Sequence, residues 1–217
     1  MALFERLKID NQDIWSRYIG HRFVRELGMG DLPKRCFQHY LGQDYLFLIH
    51  LARAYALAAY KSETLADIRQ AFLGLSAILN VEMDLHVQFC TNWGLSEVDM
   101  EGLPESNETM AYTRFVLEKG VAGDLLDLHV ALAPCIIGYA ELGRKLAPAD
   151  KSNKYSAWID MYASEDYQNI AAVEIEQLER LFVLKAGEGR FRALSKTFGQ
   201  ATQLEVAFWE MAMEVVV

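Results

Sequence analysis

Along "KRCFQHYLGQDYLFLIHLARAYALAAY" apolar residues return every three or four positions, a stripe that a chain can bury only by coiling as a helix. The same rhythm holds almost throughout. No segment of useful length alternates apolar and polar residues as a half-buried strand would, and no GxGxxG or GxxxxGK[ST] phosphate loop occurs. The pattern predicts an all-α, multi-helix bundle of roughly eight or more helices.

Punctuation is sparse. Of the four prolines, Pro33, Pro104 and Pro148 sit at boundaries, while Pro134 falls inside a helix. "GMGDLP" closes a first helix, and the next opens after Pro33. A third covers "TLADIRQAFLGLSAILNVEMDLHVQFCTNW" and stops near Gly94. "NWGLSEVDMEGLPESNETMAY" reads as the longest connection, followed by a helix through Tyr112 and Phe115. The helix carrying Cys135 stops around "LAPADKSNK". A shorter one lies in "YSAWIDMYASEDYQNI", and "IAAVEIEQLERLFVLKA" and "GRFRALSKTFGQATQLEVAFWEMAMEVVV" complete the chain. With 217 residues, about half of them apolar, one compact domain over 1–217 is the economical reading.

Charge narrows the partners. The 21 basic residues are outnumbered by 30 acidic ones, giving a net charge of -9 with no run of like sign. That speaks against nucleic acid, whose phosphates call for clustered Lys and Arg. The three cysteines, Cys36, Cys90 and Cys135, are odd in number and lack CxxC spacing, so neither a disulfide framework nor a zinc site is expected. Free thiols suit a reducing, cytoplasmic setting. "MALFERLKID" is charged by its fifth residue and has no signal-peptide core. The longest uncharged apolar stretch, "LHVALAPCIIGYA", is too short to cross a bilayer, so no membrane partner is expected.

Four places could carry chemistry. In "DLLDLHVALAPCIIGYAELG" a helix tolerates Pro134 at a cost of about 3 kcal/mol. Cys135 follows it directly, and Tyr139 lies one turn on, on the same face. Free cysteines on apolar helices are mostly inert filler, and Cys36 and Cys90 read so. Cys135 differs because proline loosens the packing beside it, although no activating cation is near in sequence. In "GQDYLF", Asp44 sits among apolar neighbours with Phe47 on nearly the same face. It needs a partner, such as a buried Tyr or Arg, or a function. "NVEMDLHVQF" sets Glu82 and His86 at i and i+4, a structural hydrogen-bond pair first and a metal pair second. It is not the ExxH of di-iron carboxylate proteins. "QATQLEVAFWEMAM" buries Glu205, a carboxylate whose desolvation favours acid–base work or a packing pair. Singly each reads first as structural. Together, a thiol, two carboxylates on apolar helices and several aromatics suit a flat ring.

With these residues in view, the chain resembles the TenA/thiaminase II family over nearly its whole length. "WSRYIGHRFVRELGMGDLP", "FQHYLGQDYLFL", "EMDLH", "TMAYTRFV", "LAPCIIGYAELG", "WIDMYAS" and "LEVAFWEMA" match that family's blocks in order. The resemblance implies a haem-oxygenase-like helical bundle assembled as a homotetramer. It implies hydrolysis of the aminopyrimidine 4-amino-5-aminomethyl-2-methylpyrimidine for thiamin salvage, and in many members cleavage of thiamin, without a cofactor or metal. Carried over, Cys135 is the nucleophile, Glu205 the general acid/base, and Asp44 the acceptor for the aminopyrimidine. Tyr112, Tyr139 and Tyr162 orient the ring. Phe47 forms an aromatic wall where some relatives have Tyr. Glu82 and His86 play a supporting role.

Two other readings stand beside this one. A non-catalytic member of the same fold would bind a thiamin-related ligand or a partner protein, yet would have no use for a nucleophile. A metal-dependent oxidase would need several facing His and Glu ligands, and only His21, His39, His50, His86 and His129 are present.

Overall fold

The computed structural model describes residues 1–147, 152–185 and 188–214, so Pro148, expected at a helix boundary, lies outside the described residues. Helices make up the described chain, and no strand occurs among the described residues. Two compact units are distinguished, one of Met1–Leu32 with His129–Glu210 and one of Pro33–Leu128 with Met211–Val217.

In the first unit the expected opening helix is three: α1 (Leu3–Asp10), α2 (Gln12–Ile19) and α3 (Arg22–Met29). Side chains make the breaks. Asn11 Nδ2 donates to the Leu7 carbonyl (2.9 Å) and to Ser195 Oγ (2.9 Å), closing α1. His21 Nδ1 accepts from the Phe23 N–H (3.2 Å), opening α3. An aromatic core follows from the spacing of large residues. Trp15 stacks on Phe198 with centroids 5.4 Å apart, and Phe4 sits edge-on to both rings.

The helix α9 (Leu125–Leu146) supplies most of its length to this unit and stays helical through Pro134. At 22 residues it outgrows the uncharged stretch that looked too short for a bilayer. By length and composition it could span one, with a mean hydropathy of 1.5 over its best window, but 89% of that window is buried inside the protein. After it come α10 (Ser156–Ala163), α11 (Glu165–Lys185) and α12 (Phe191–Met213). The α10–α11 break falls at Ser164, earlier than the apolar pattern suggested. There the serine Oγ accepts from the Tyr167 N–H (3.2 Å) as an N-cap.

In the second unit α4 (Lys34–Lys61) is the axis, packed by α5 (Leu65–Ala77), α6 (Met83–Asn92), α7 (Glu97–Glu101) and α8 (Asn107–Ala122). Its buried residues fall on almost every side in the middle turns, from Tyr40 to Leu48. Lys61 at its end donates to the Gly120 and Val121 carbonyls (2.6 and 3.1 Å), capping α8. The expected third helix runs from Leu65 to Asn92 but is interrupted by a π-turn at Ile78–Glu82. The long connection after Gly94 contains α7, opened by a capping box. Ser96 Oγ accepts from the Asp99 N–H (3.1 Å), and Asp99 Oδ2 accepts from the Ser96 N–H (3.3 Å).

Candidate active site

The residues singled out fall into two groups, one in each unit. Cys135, Tyr139, Tyr162 and Glu205 belong to the first, and Asp44, Phe47, Glu82, His86 and Tyr112 to the second.

Cys135 is 7% exposed, and its Sγ donates to the Leu132 carbonyl at 3.0 Å, one turn back. Proline at 134 removes a backbone donor from this turn. The carbonyl of Pro134 itself accepts from the Tyr18 hydroxyl at 3.2 Å, so α2 ties down the residue before the thiol. Gly138 makes this possible, since a Cβ there would lie 2.5 Å from Tyr18 Cε1. Burial, followed by the nearby charges of Glu205 and Cys135, pushes the Tyr18 phenol well above its ordinary range and keeps it a neutral donor.

Aromatic rings complete the surroundings. Tyr139 has its ring 4.9 Å from Tyr162, 5.5 Å from Trp209 and 6.0 Å from Trp158. Gly143, one turn further along α9, has the backbone of Tyr162 where its Cβ would be, so α9 and α10 meet without an intervening side chain. Trp209 stacks on Phe23 and Tyr18. Glu205, four residues earlier on α12, is buried as expected at 1% exposure. Deeper in the same unit, His129 Nδ1 and Glu174 Oε1 meet at 2.7 Å as a buried pair linking α9 to α11.

The second group is a knot of titratable side chains. Asp44 is buried on α4; its Oδ2 accepts from the Tyr40 hydroxyl (3.1 Å) and lies 3.5 Å from His86 Nδ1. The buried tyrosine partner anticipated for it is present. Burial pushes the Asp44 carboxyl up to about 7, against the pull of Tyr40. Burial and then the Asp44 charge take Glu82 up to about 8. His86 is pushed down to about 4 by burial, although its Nε2 bonds the Leu41 carbonyl at 2.8 Å. Beside the knot Phe47 packs on Tyr112 with centroids 4.9 Å apart and planes tilted 45°. Among the described residues no group of three His, Cys, Asp or Glu could hold a metal ion.

Two residues at these sites escaped the sequence reading. Tyr18 is one. Gln43 is the other: its Nε2 donates to the Pro104 carbonyl (3.0 Å), and its Oε1 accepts from the Ser106 N–H (2.9 Å) and Thr109 Oγ1 (2.7 Å). It thereby fixes the start of α8, two turns ahead of Tyr112. Its place in "GQD", beside a buried carboxylate, was the available signal.

Comparison with known proteins agrees with this architecture. An aminopyrimidine aminohydrolase of Halalkalibacterium halodurans is 36% identical over 205 residues, covering 93% of this chain and 91% of that protein. The crystal structure of a TenA family transcription regulator from Silicibacter sp. TM1040 is 41% identical, with a TM-score of 0.94, over 98% of this chain and 96% of that one. A Shewanella denitrificans domain described as having a heme oxygenase-like fold is 11% identical with a TM-score of 0.78, covering 97% of this chain and 92% of that one; it speaks to fold alone. The fold is thus an all-α bundle of the haem-oxygenase-like type. Residues 9–215 match the TENA/THI-4/PQQC family, and the chain belongs to it.

Proposed function

We propose that the protein hydrolyses aminopyrimidines in thiamin salvage. It takes 4-amino-5-aminomethyl-2-methylpyrimidine and water to the hydroxymethyl pyrimidine and ammonia, and cleaves thiamin to its pyrimidine and thiazole parts as a second activity. The observation that carries this reading is Cys135: a buried thiol held on a proline-interrupted turn beside a neutral phenol, with Glu205 near enough to influence that phenol. The identity with an aminopyrimidine aminohydrolase over most of both chains supports it.

In this reading Cys135 sulfur, having shed its proton, adds to an electron-poor ring carbon and breaks the ring's aromaticity. The ring electrons expel the amine from the exocyclic methylene as ammonia. Water then bonds to that methylene carbon, and departure of the thiolate restores the ring. Glu205 exchanges protons with the ring or its amino group. Asp44 takes the hydrogen bond of the aminopyrimidine. Phe47, Tyr112, Tyr139 and Tyr162 supply flat walls and phenolic contacts, with Glu82 and His86 supporting Asp44. No cofactor takes part.

We assign the enzyme to the cytoplasm, where its three free, buried thiols remain reduced. A homotetramer follows from the family resemblance. It is supported by the apolar side chains Leu65, Ile68, Phe72, Leu73 and Leu79, all exposed on α5 and the π-turn. Wild type and Cys135→Ser are to be assayed in parallel on the aminomethyl pyrimidine and on thiamin. Turnover that vanishes in the variant is expected, and the ratio of the two wild-type rates ranks the substrates. Binding without turnover of either would replace this reading with a non-catalytic binder.

A further inference from the structure

Asp44 and His86 carry a hydrogen-bond account that can be closed from geometry. A backbone carbonyl only accepts, so the 2.8 Å contact of His86 Nε2 with the Leu41 carbonyl puts the ring proton on Nε2. A neutral His86 then leaves a lone pair on Nδ1, which lies 3.5 Å from Asp44 Oδ2. Two facing lone pairs in a buried site repel. A proton on Oδ2 removes that repulsion.

We infer that Asp44 Oδ2 and His86 Nδ1 hold a single proton that resides on the carboxyl, so that Asp44 works as a neutral acid whose Oδ1 is presented as an acceptor and His86 is its positioning residue. The alternative, imidazolium against carboxylate, would bury two charges in side chains only 6% and 7% exposed. Burial and the second carboxylate favour the neutral form of Asp44, while Tyr40 on its own helix donates to Oδ2 and pulls the other way. Glu82 on the π-turn faces it as a second carboxylate, and Cys90 on α6 is a thiol pushed up to about 12. Phe47 on α4 itself packs its ring on that of Tyr112 on α8. The α7 carboxylates Glu97 and Glu101 are engaged with Tyr45. Oδ1 makes no hydrogen bond among the described residues. The raised carboxyl and lowered imidazole are consistent with the same state.

The π-turn contributes to this arrangement. Its wider winding adds a residue between α5 and α6, and such insertions often re-aim side chains at working sites. Here Glu82 closes the π-turn and His86 follows one turn later.

The inference rests on the proposed hydrolase activity for its role but not for its proton. Full-length wild type labelled with 15N-histidine, with His86 assigned by through-bond correlation, is expected to show a bare Nδ1 and a protonated Nε2 near neutral pH. A protonated Nδ1 overturns the inference whether or not the enzyme turns over. The kinetic arm compares two variants. His86→Gln keeps the tether to Leu41 and loses the acceptor facing Asp44; His86→Asn keeps an acceptor there and loses the tether. The basic limb of the kcat/KM profile is expected to move about one unit toward acid in His86→Gln, a tenfold loss on the limb, and to stay in place in His86→Asn. A uniform loss with an unmoved limb in His86→Gln assigns His86 a packing role only. If wild type with a bare Nδ1 turns over no aminopyrimidine, the proposed activity falls and the proton arrangement stands.

Discussion

The surroundings of Cys135 and of Asp44 are made of different materials. Rings mark the helix of the thiol: Tyr18 is bonded to the preceding carbonyl, and Tyr139, one turn along, contacts Tyr162, Trp158 and Trp209. Asp44 sits among acids and bases, with Glu82, His86 and Tyr40 around it and two carboxyls pushed up toward neutrality. A soft nucleophile attacking a flat ring needs shape and a dry wall. Proton traffic near neutral pH needs groups whose affinities have been brought to that pH by burial. In the proposed reaction the first requirement falls to the surroundings of Cys135 and the second to those of Asp44.

That division can be broken most directly at the thiol. Cys135→Ala is expected to lower turnover of the aminomethyl pyrimidine on the order of a thousandfold or more. The pH dependence of unfolding should stay as it is, because no group of the Asp44 knot is touched. Steady-state rates and denaturant melts at several pH values check both halves. A variant with changed pH-stability would mean that the two environments are not independent.

Gly138→Ala tests whether the rings are set by backbone approach. The new Cβ would strike Tyr18, which is fully buried and stacked on Trp209. A loss of about 1–3 kcal/mol in urea unfolding is expected, of the size found for overpacked cores. Tolerance without loss would show that Tyr18 moves freely.

Glu82→Gln sharpens the other side. The carboxyl titrates near 4.5 ordinarily and near 8 when folded, so below about pH 4 it is protonated in both states and contributes nothing to the pH slope. Between those values only the unfolded chain sheds its proton, so wild type loses stability as pH rises, and the loss levels off above about 8. Glutamine stays neutral throughout. The variant should match wild type near pH 4 and exceed it by about 1–2 kcal/mol at pH 8, because the neighbouring Asp44 shares part of the titration. A flat difference between the two curves would mean that Glu82 is solvated.

Tyr18→Phe should have the smallest effect, about 1 kcal/mol for one buried hydrogen bond to the Pro134 carbonyl. Alkylation of Cys135 with iodoacetamide should be faster in this variant, since the turn before the thiol is released. An unchanged alkylation rate would remove Tyr18 from the thiol's surroundings.

Much of this was legible in the sequence because it is local. Cys135 and Tyr139 are one turn apart on a helix, and the aromatic contacts of Tyr139 follow from that helix being buried. The burial of Asp44 and Glu205 was readable from the apolar residues beside them. Tyr18 was not, because the carbonyl it bonds lies 116 residues away in the chain. The π-turn was hidden because its five residues continue the apolar rhythm, and one extra residue per turn leaves no compositional trace. The α7 helix was readable in principle, since "SEVD" is a capping box, but it lies in a segment dense with turn residues.

The lipophilic α9 has a consequence for synthesis. Its tyrosine and histidine contacts in the first unit come from Trp158, Tyr162, Glu174 and Trp209, all made after it. A growing chain therefore carries a largely apolar helix that lacks these partners until its last quarter has emerged from the ribosome. Premature termination beyond α9 would leave a fragment bound for aggregation or for a bilayer, and Cys135 would go with it.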